Sequence, residues 1–391
     1  NAPFVTRFSA VNSAANLNNI CTGDNFAGCF RPREAGYPRN APSNVILYIP
    51  RDLPWGYTQN WHLTIQRSLG RDSMFEVAYV GNRSRDLPIL GDFNQARPIT
   101  QEELARGLTT LGTLLARRPY QGWNNITAVL PYGFASYHAL QAKFEHRGRE
   151  FQLLSSFTYS KSIDNAGQVL EPTNGSGPNV QDIRNPKNDK GPSSFDQRFN
   201  STTSFVYEMP FGRGRRFASG MPAAAEALLG GWQASSIIFL LSGQPLNIRY
   251  PDASGILSDN QPESFLGTVS LRPNLIDPAA GVLAPKSERN YLNYFNRASL
   301  ATPPVWAPFG NLGRNVAYGF PWYQVNFVLA KNFAVPALGE AGRLQFRSEF
   351  YNFFNRTNFA APQVNLAAAN FGRVTSTADP RYVQLALKLL F

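Results

Sequence analysis

The sequence predicts an all-β fold, the antiparallel wall of a transmembrane β-barrel, from three observations. The final residues alternate between apolar and polar side chains, and the other alternating segments pair as hairpins. The run Ile237–Leu241 contains five apolar residues, whereas a membrane helix needs about 20. A content of 13% aromatic and 16% charged residues suits many strands with aromatic belts and polar loops.

The last strand has the clearest alternation. Successive side chains of a strand point to opposite faces, so alternate residues share a face. One face is apolar and ends on the terminal aromatic: Val383, Leu385, Leu387, Leu389 and Phe391. The other face is polar: Tyr382, Gln384 and Lys388. We expect the apolar face to contact lipid and to be the signal that the barrel insertion machinery binds, and the polar face to line the lumen.

Four preceding hairpins alternate in the same way and bring the number of predicted strands to nine. In the first hairpin the apolar alternation starts at Trp61 in one strand and Phe75 in the other, and in the second at Leu140 and Phe151. The strands of the third hairpin lie within residues 195 to 209 and 231 to 244, and the alternation of the fourth starts at Tyr323 and Leu344. Short turns join the strands of a hairpin, and the third connection adds a helical turn from Ala223 to Leu229. The segment Phe4 to Val11 is a weaker candidate for a tenth strand.

Long polar connections separate the hairpins: residues 84 to 135, 164 to 194, 245 to 318 and 357 to 378. Outer-membrane barrels have short periplasmic turns and longer extracellular loops. If the last strand descends to the periplasm, all four long connections lie outside the cell. We therefore expect residues 1 to 55 to be an extracellular loop region with a possible first strand, and residues 56 to 391 to be a barrel portion.

The strand that contains Leu344 also has a polar face, which we expect to line the barrel interior: Arg343, Gln345, Arg347 and Glu349. These side chains either contact a plug or substrate or pair with one another in solvent. The second interpretation is favoured, because most lumen charges are solvated or paired.

The first long connection contains a helix signal. Thr100 with Glu103 three residues later is a capping box, and leucines follow near helical spacing: Leu104, Leu108, Leu111 and Leu115. The pattern predicts one amphipathic helix. A ligand lid and a loop-packing element are both compatible with it, and we favour the second.

The charge distribution argues against nucleic-acid binding. The net charge is +11, but the lysines and arginines are scattered rather than gathered into one stripe or helix face.

Motifs of catalytic and metal sites are missing too, since His62, His138 and His146 lie on predicted strands away from ligand spacing. A catalytic triad assembled across strands would leave no sequence signature. The sequence predicts no enzyme, no cofactor and no metal site.

The only two cysteines, Cys21 and Cys29, predict a local disulfide in an extracellular loop, since oxidising compartments preserve such bridges. Two free thiols are the alternative. The short enclosed loop limits the entropic contribution of the bridge to at most about 2 to 3 kcal/mol. Replacing both cysteines with serine is expected to leave the barrel assembled. Mass spectrometry of the unreduced protein checks the bridge, and two free thiols would contradict it.

Several short motifs carry a family resemblance. They are Phe195-Asp-Gln-Arg-Phe199, Tyr207-Glu-Met-Pro-Phe-Gly212, Leu229-Gly-Gly-Trp-Gln233, Ser242-Gly-Gln-Pro245, Gly310-Asn-Leu-Gly-Arg-Asn315, Lys331-Asn-Phe333, Phe346-Arg-Ser-Glu-Phe-Tyr-Asn-Phe-Phe-Asn355 and Phe371-Gly372. In order and spacing this set resembles Oar-like TonB-dependent transporters of the outer membrane. The resemblance implies a barrel of about 22 strands, an N-terminal plug and uptake energised through TonB.

The resemblance also sets the expected function. The chain begins at Asn1 without a leader pattern, so we expect a mature product or the back part of a longer protein. We expect nine or ten strands of the larger barrel in the outer membrane of a Gram-negative bacterium. The expected partners are outer-membrane lipid, the insertion machinery, the TonB complex through a plug not visible here, and an imported ligand. Iron chelates, sugars, peptides and cobalamin are all compatible with the loops. The alternative is a non-transporting adhesion or structural barrel.

Overall fold

Nine long strands form the framework of the protein. The computed structural model describes residues 4–7, 45–109, 111–120, 126–165, 180–251, 270–335, 337 and 342–390. The strands are β1 Tyr57–Ser68, β2 Ser73–Asp92, β3 Ile126–Arg147, β4 Phe151–Asp164, β5 Phe199–Glu208, β6 Trp232–Leu241, β7 Trp322–Ala334, β8 Arg343–Tyr351 and β9 Tyr382–Leu390. They are the nine strands that the alternation predicts, and the all-β fold class is confirmed.

The nine strands make one antiparallel sheet in chain order, because each strand pairs with the next along the chain. The connections at one end of the sheet are 69–72, 148–150, 209–231 and 335–342. Those at the other end are longer: 93–125, 165–198, 242–321 and 352–381. Within the described ranges β1 pairs only with β2 and β9 only with β8, so the sheet is open.

The register places the alternating apolar residues of all nine strands on one face. Leu387 of β9 is paired with Phe346 of β8, Phe346 with Lys331 of β7, and Lys331 with Trp232 of β6. A second row crosses the sheet through Tyr323, Leu240, Ser201, Phe157, Ala142, Val77 and Ile65. The contact of this apolar face with lipid remains a prediction.

Strands β2 and β3 continue past their expected ends. They stay paired as far as Asp92 and Thr127, so much of the expected loop 84 to 135 is strand. Register shifts between Ser84 and Leu87, and again between Leu87 and Ile89, break the two-residue alternation in this part of the ribbon. The alternation alone therefore places the strand ends too early.

The weaker candidate for a tenth strand, Phe4 to Val11, does form a strand of the sheet in its described part, but it does not extend the wall in chain order. Its described part, Phe4–Arg7, pairs with Val45–Tyr48 and not with β1. Val45–Tyr48 in turn pairs in parallel with residues 126–128 at the end of β3. Since β4 joins β3 only from Ala135 onward, the backbone of those residues is open on that side, and the short strand satisfies it.

The helices are short: α1 Gln101–Ala105, α2 Leu111–Ala116 and α3 Ala223–Leu229, with 3₁₀ turns at Pro186–Asp189 and Arg297–Ser299. The capping box of α1 is confirmed, because the Glu103 amide donates to Thr100 Oγ1 at 3.2 Å and the Thr100 amide donates to Glu103 Oε2 at 2.9 Å.

The prediction of one helix through Leu115 is wrong. Gly107 adopts φ +70°, a left-handed conformation that separates α1 from α2. No helix in the described ranges is long and apolar enough to cross a membrane.

Packed apolar clusters lie in the long connections and at the ends of β2 and β3. Two-residue strands brace these connections: Pro245–Leu246 with Ala317–Tyr318, Tyr250–Pro251 with Ser270–Leu271, Asn274–Leu275 with Leu300–Ala301, and Gly191–Pro192 with the end of β4. A small cluster at the ends of β2 and β3 contains Ile89, Ala128, Leu130 and Val180. A larger one lies within the third and fourth long connections.

Candidate functional site

The long connections at one end of the sheet pack together and form the candidate site. We call the described residues of connections 93–125, 165–198, 242–321 and 352–381 the rim assembly, and number the connections one to four. These segments are the extracellular loops of the predicted topology. Loops placed on a rigid scaffold are the usual location of binding residues.

The third and fourth connections share an aromatic and aliphatic core. The ring of Phe295 stacks on Phe371 at a centroid distance of 5.1 Å, and Phe320 lies 4.6 Å from Tyr294 and 5.1 Å from Phe359. The aliphatic members of the core are Leu246, Ile248, Leu271, Leu300, Leu312 and Leu366. Burying each such side chain contributes roughly 1.5 to 3 kcal/mol. The two connections therefore pack as one body.

Residues 310–315 hold the backbone of this body in place. Asn311 Oδ1 accepts from the Leu275 amide at 2.7 Å, and the Asn311 amide donates to Asn274 Oδ1 at 3.0 Å. The backbone passes so close to Gly310 that a side chain there would collide with the carbonyl oxygens of Arg272 and Pro273. The segment therefore needs glycine at position 310 and an amide at 311.

Two buried ion pairs tie the third connection to the second and to the end of β4. Arg314 pairs with Asp164, and its Nε donates to Asp189 O at 2.7 Å. Arg272 pairs with Asp189, and its Nε donates to Leu312 O at 2.8 Å. The exposed side-chain fraction is 6% for both partners of the first pair and 3% for both partners of the second. Burial lowers the pKa of the Arg314 guanidinium to about 10, so it stays charged at neutral pH.

Burial also shifts the pKa of Asp189, in the upward direction. Loss of solvation raises the pKa of the Asp189 carboxyl above its ordinary value, although Arg272 opposes the rise. An unpaired charge in such a place costs several kcal/mol, so each partner depends on the other. Through these buried ion pairs, the two arginines hold together connections that are far apart in sequence.

A second group of bonds surrounds Asp196 and Ser242. Asp196 accepts from the Ser162 amide at 2.6 Å and from the Tyr318 hydroxyl at 2.8 Å. Ser242 Oγ accepts from Gln197 Nε2 at 2.8 Å. Burial, followed by the bond to Asp196, raises the pKa of Tyr318. These bonds connect the second connection to the third.

The first connection is held in the same way. Asp92 Oδ1 accepts from the Asn94 amide at 2.9 Å and from the Ile126 amide at 3.0 Å, while Arg118 pairs with Oδ2 at 3.2 Å. Gln95 donates to Gln181 O at 2.9 Å and so reaches the second connection.

Asparagines terminate the wall strands at the fourth connection. Asn358 bonds to both backbone groups of Tyr323, accepting at 3.0 Å and donating at 2.9 Å, so its amide imitates a strand partner. Asn352 Oδ1 accepts from the Arg356 amide at 2.9 Å, and Asn355 Oδ1 accepts from the Arg381 amide at 2.9 Å. The strand β8 therefore ends in a fixed turn.

The predicted lumen-facing residues do share one face of the sheet. Arg347 Nε donates to Glu349 Oε1 at 2.8 Å, and Gln345 pairs in register with Lys388. The remaining predicted members are on this face as well: Arg343, Tyr382 and Gln384. Their contact with a lumen stays a prediction. Phe391 and the pair Cys21 and Cys29 lie outside the described residues.

Non-covalent binding is the chemistry that the rim assembly offers. Its exposed aromatics include Tyr120, Tyr291 and Trp306, beside many amide and hydroxyl groups. Within the described ranges, no three metal-ligating side chains come together. Ser73 Oγ lies 2.9 Å from His146 Nδ1, but this pair sits on the apolar face of the sheet, and no described carboxylate bonds to that ring.

The residues that organise the rim assembly are not among the predicted site residues: Arg272, Arg314, Asp164, Asp189 and Asp196. Arg314 and Asp196 do lie inside the motifs that carry the family resemblance. Those motifs were the only available signal, because arginines and aspartates in polar loops otherwise look like solvent-exposed residues.

The match to a family model agrees with this architecture. The family model described as "Outer membrane beta barrel domain" matches residues 1–384. Among solved structures, the outer membrane transporter YddB from Escherichia coli aligns with a TM-score of 0.43 at 11% identity, over 89% of this chain and 34% of that one. The siderophore receptor PirA from Acinetobacter baumannii aligns with a TM-score of 0.41 at 11% identity, over 90% and 34%. The chain thus spans about a third of these structures. No curated protein matches its sequence.

Proposed function

The chain belongs to the outer membrane beta barrel domain family, and on that basis we propose that it forms the C-terminal wall and ligand-binding loops of a TonB-dependent transporter. It resides in the outer membrane of a Gram-negative bacterium. In the proposal, the apolar face of the sheet contacts lipid and the polar face lines the lumen. The rim assembly binds the ligand from outside the cell.

The ordered rim assembly is the observation that supports ligand capture. Fixing a free side chain on binding costs roughly 0.5 to 1.5 kcal/mol, so loops that are already ordered bind more tightly. The buried pairs Arg314–Asp164 and Arg272–Asp189 supply this order before any ligand arrives. Exposed aromatic and amide groups supply stacking and hydrogen bonds.

Closure of the wall and coupling to TonB are further parts of the proposal. The edges of β1 and β9 leave backbone groups unpaired in the described sheet. An unsatisfied backbone group in lipid costs several kcal/mol, so in the proposal additional strands close the wall. The resemblance to Oar-like transporters, which have about 22 strands and a plug, supports a large closed barrel.

The function is tested by comparing four strains: wild type, a deletion of this gene, a tonB deletion, and a strain whose protein carries Arg314→Met. Each grows in the same complex medium, and mass spectrometry records which solutes disappear. We expect one set of solutes to remain in the medium for all three altered strains. A Lys286→Ala strain, altered at an exposed position of the third connection, is the matched control and should deplete the medium as wild type does.

Other outcomes contradict the transporter. If the gene deletion changes no solute but lowers attachment of cells to surfaces, and the tonB deletion does not, the protein is an adhesion barrel. Immunoblots of outer-membrane fractions verify that the Arg314→Met protein reaches the membrane in normal amounts.

The carboxy terminus is predicted to govern insertion. Deleting Phe391 or replacing it with aspartate should lower the outer-membrane fraction of full-length protein, because an unpaired strand edge with alternating apolar side chains suits capture by strand addition. Leu390→Asp is the matched control, since Leu390 shares the polar face and pairs in register with Arg343. Expression is kept low so that the machinery is not saturated. Equal insertion of the two aspartate variants would contradict the prediction.

A further inference from the structure

The connection between β5 and β6, residues 209–231, differs from the other connections at its end of the sheet. Those connections are 69–72, 148–150 and 335–342, whereas this one contains α3 and the basic turn Arg213-Gly-Arg-Arg216. We call residues 209–231 the α3 connection. In the topology of short periplasmic turns, it lies at the periplasmic surface of the membrane.

Two side chains fasten α3 to the apolar side of the wall. Lys331 and Trp232 are register partners on the apolar face. Lys331 Nζ donates to Glu226 O at 3.0 Å and also to Gly230 O, and Trp232 Nε1 donates to Leu228 O at 2.8 Å. The bond to Leu228 O satisfies a carbonyl group that the last turn of a helix leaves without a partner, whereas Glu226 O also accepts from the Gly230 amide at 3.0 Å. The end of α3 is therefore anchored on the apolar face of the sheet rather than the polar face.

The α3 connection exposes apolar side chains next to this attachment. Leu228 is 72% exposed and Leu229 is 63% exposed. Phe211 and Phe217 are also exposed, with ring centroids 5.8 Å apart. Apolar side chains exposed together beside a membrane-facing surface mark an interaction site.

Basic side chains accompany the apolar ones. The connection holds three arginines against one carboxylate, Glu226, whose Oε2 accepts from the Arg213 amide at 3.0 Å. Arg215 pairs with Glu208 at 2.7 Å, and the Arg216 guanidinium lies 5.3 Å from the centre of the Phe217 ring. An apolar surface with arginines at its edge suits the boundary between acyl chains and phosphate groups.

We propose that the α3 connection is an interfacial anchor for anionic phospholipid of the periplasmic leaflet. Leu228, Leu229 and the two phenylalanines enter the acyl region, and Arg213 and Arg216 bind the phosphate groups. The proposal continues the predicted lipid-contacting face of the wall, and it does not depend on transport.

Bromine quenching of a site-specific fluorophore tests the proposal in full-length protein reconstituted into vesicles, with Cys21 and Cys29 replaced by serine. A label at Leu229→Cys reports on the anchor. A label at Leu344→Cys reports on the apolar wall, and one at Gln233→Cys, beside Trp232 but on the polar face, reports on the opposite side. Brominated phosphatidylglycerol or brominated phosphatidylcholine is added at the same low mole fraction.

We expect quenching at positions 229 and 344 but not at 233, and stronger quenching at 229 by phosphatidylglycerol than by phosphatidylcholine. Arg216→Gln should lower the relative affinity for phosphatidylglycerol at position 229 by about fivefold, the effect typical of one arginine at a charged membrane surface. Arg149→Gln, in the β3–β4 turn, is the matched control and should leave it unchanged. Heat-modified migration on gels verifies that each variant is folded.

An unquenched label at 229 beside a quenched label at 344 would overturn the anchor. Equal quenching at 229 by the two lipids, unchanged in Arg216→Gln, would overturn the binding of anionic phospholipid. Absence of quenching at 344 would overturn the lipid-contacting face on which the proposal rests.

Discussion

Replacing Leu387 with arginine is expected to lower the free energy of unfolding of the barrel in lipid vesicles by about 2 to 4 kcal/mol. Leu387 is 69% exposed on the apolar face and is paired with Phe346. A charge there would have to enter the hydrocarbon region, where no water or counter-ion stabilises it. Urea titration of the full-length protein in vesicles measures the change.

The matched control is Gln384→Arg in the same strand. Gln384 is on the polar face and is paired with Glu349, so an arginine there gains an opposite charge. Ala386 is a poorer control, because it is paired with Arg347. We expect Gln384→Arg to unfold within about 0.5 kcal/mol of wild type. Equal destabilisation by the two variants would contradict the face assignment.

Replacing Arg314 with methionine is expected to have the largest effect on the rim assembly, about 3 to 5 kcal/mol, because it leaves the Asp164 carboxylate buried without its partner. The loss is local, since Arg314 bonds to the second connection and the end of β4 rather than to the centre of the wall. Hydrogen exchange of the full-length protein should show faster exchange in residues 180–198 and 270–321. Exchange in the centres of the nine strands should stay slow.

The double variant Arg314→Met with Asp164→Leu distinguishes the effect of an unpaired buried carboxylate from the effect of losing the other contacts of the arginine side chain. Removing both charges restores an uncharged interior, and buried pairs replaced in this way are often neutral or more stable. We expect the double variant to recover most of the slow exchange. If it is as fast as the single variant, backbone bonds such as Arg314 Nε to Asp189 O account for the order instead.

The wall could be predicted from the sequence because its information is local. The two-residue alternation of each strand is visible within that strand, and a short turn determines that the next strand along the chain pairs with it. The prediction failed where this rule stopped applying. Beyond Ser84 the ribbon of β2 and β3 contains register shifts, and the strand Phe4–Arg7 joined a vacant backbone edge that no pattern reveals.

The rim assembly could not be predicted because its contacts are distant in sequence. Arg314 and Asp164 are 150 positions apart. Apart from the motif Gly310–Asn315 around Arg314, nothing in the neighbourhood of either residue distinguishes it from a solvated charge. The helix prediction failed for a local reason. The leucines have nearly helical spacing, but Gly107, which lies among them, adopts a left-handed conformation.

The depth of the two ion pairs sets how the rim assembly responds to ionic strength. Mobile ions screen charges that water reaches, with a Debye length of about 8 Å in physiological saline, and screen buried charges much less. Arg272–Asp189 and Arg314–Asp164 are almost fully buried, whereas Arg97–Glu103 in the first connection is solvated. We therefore expect high salt to weaken the Arg97–Glu103 pair of the first connection more than the two buried pairs that link the second and third connections.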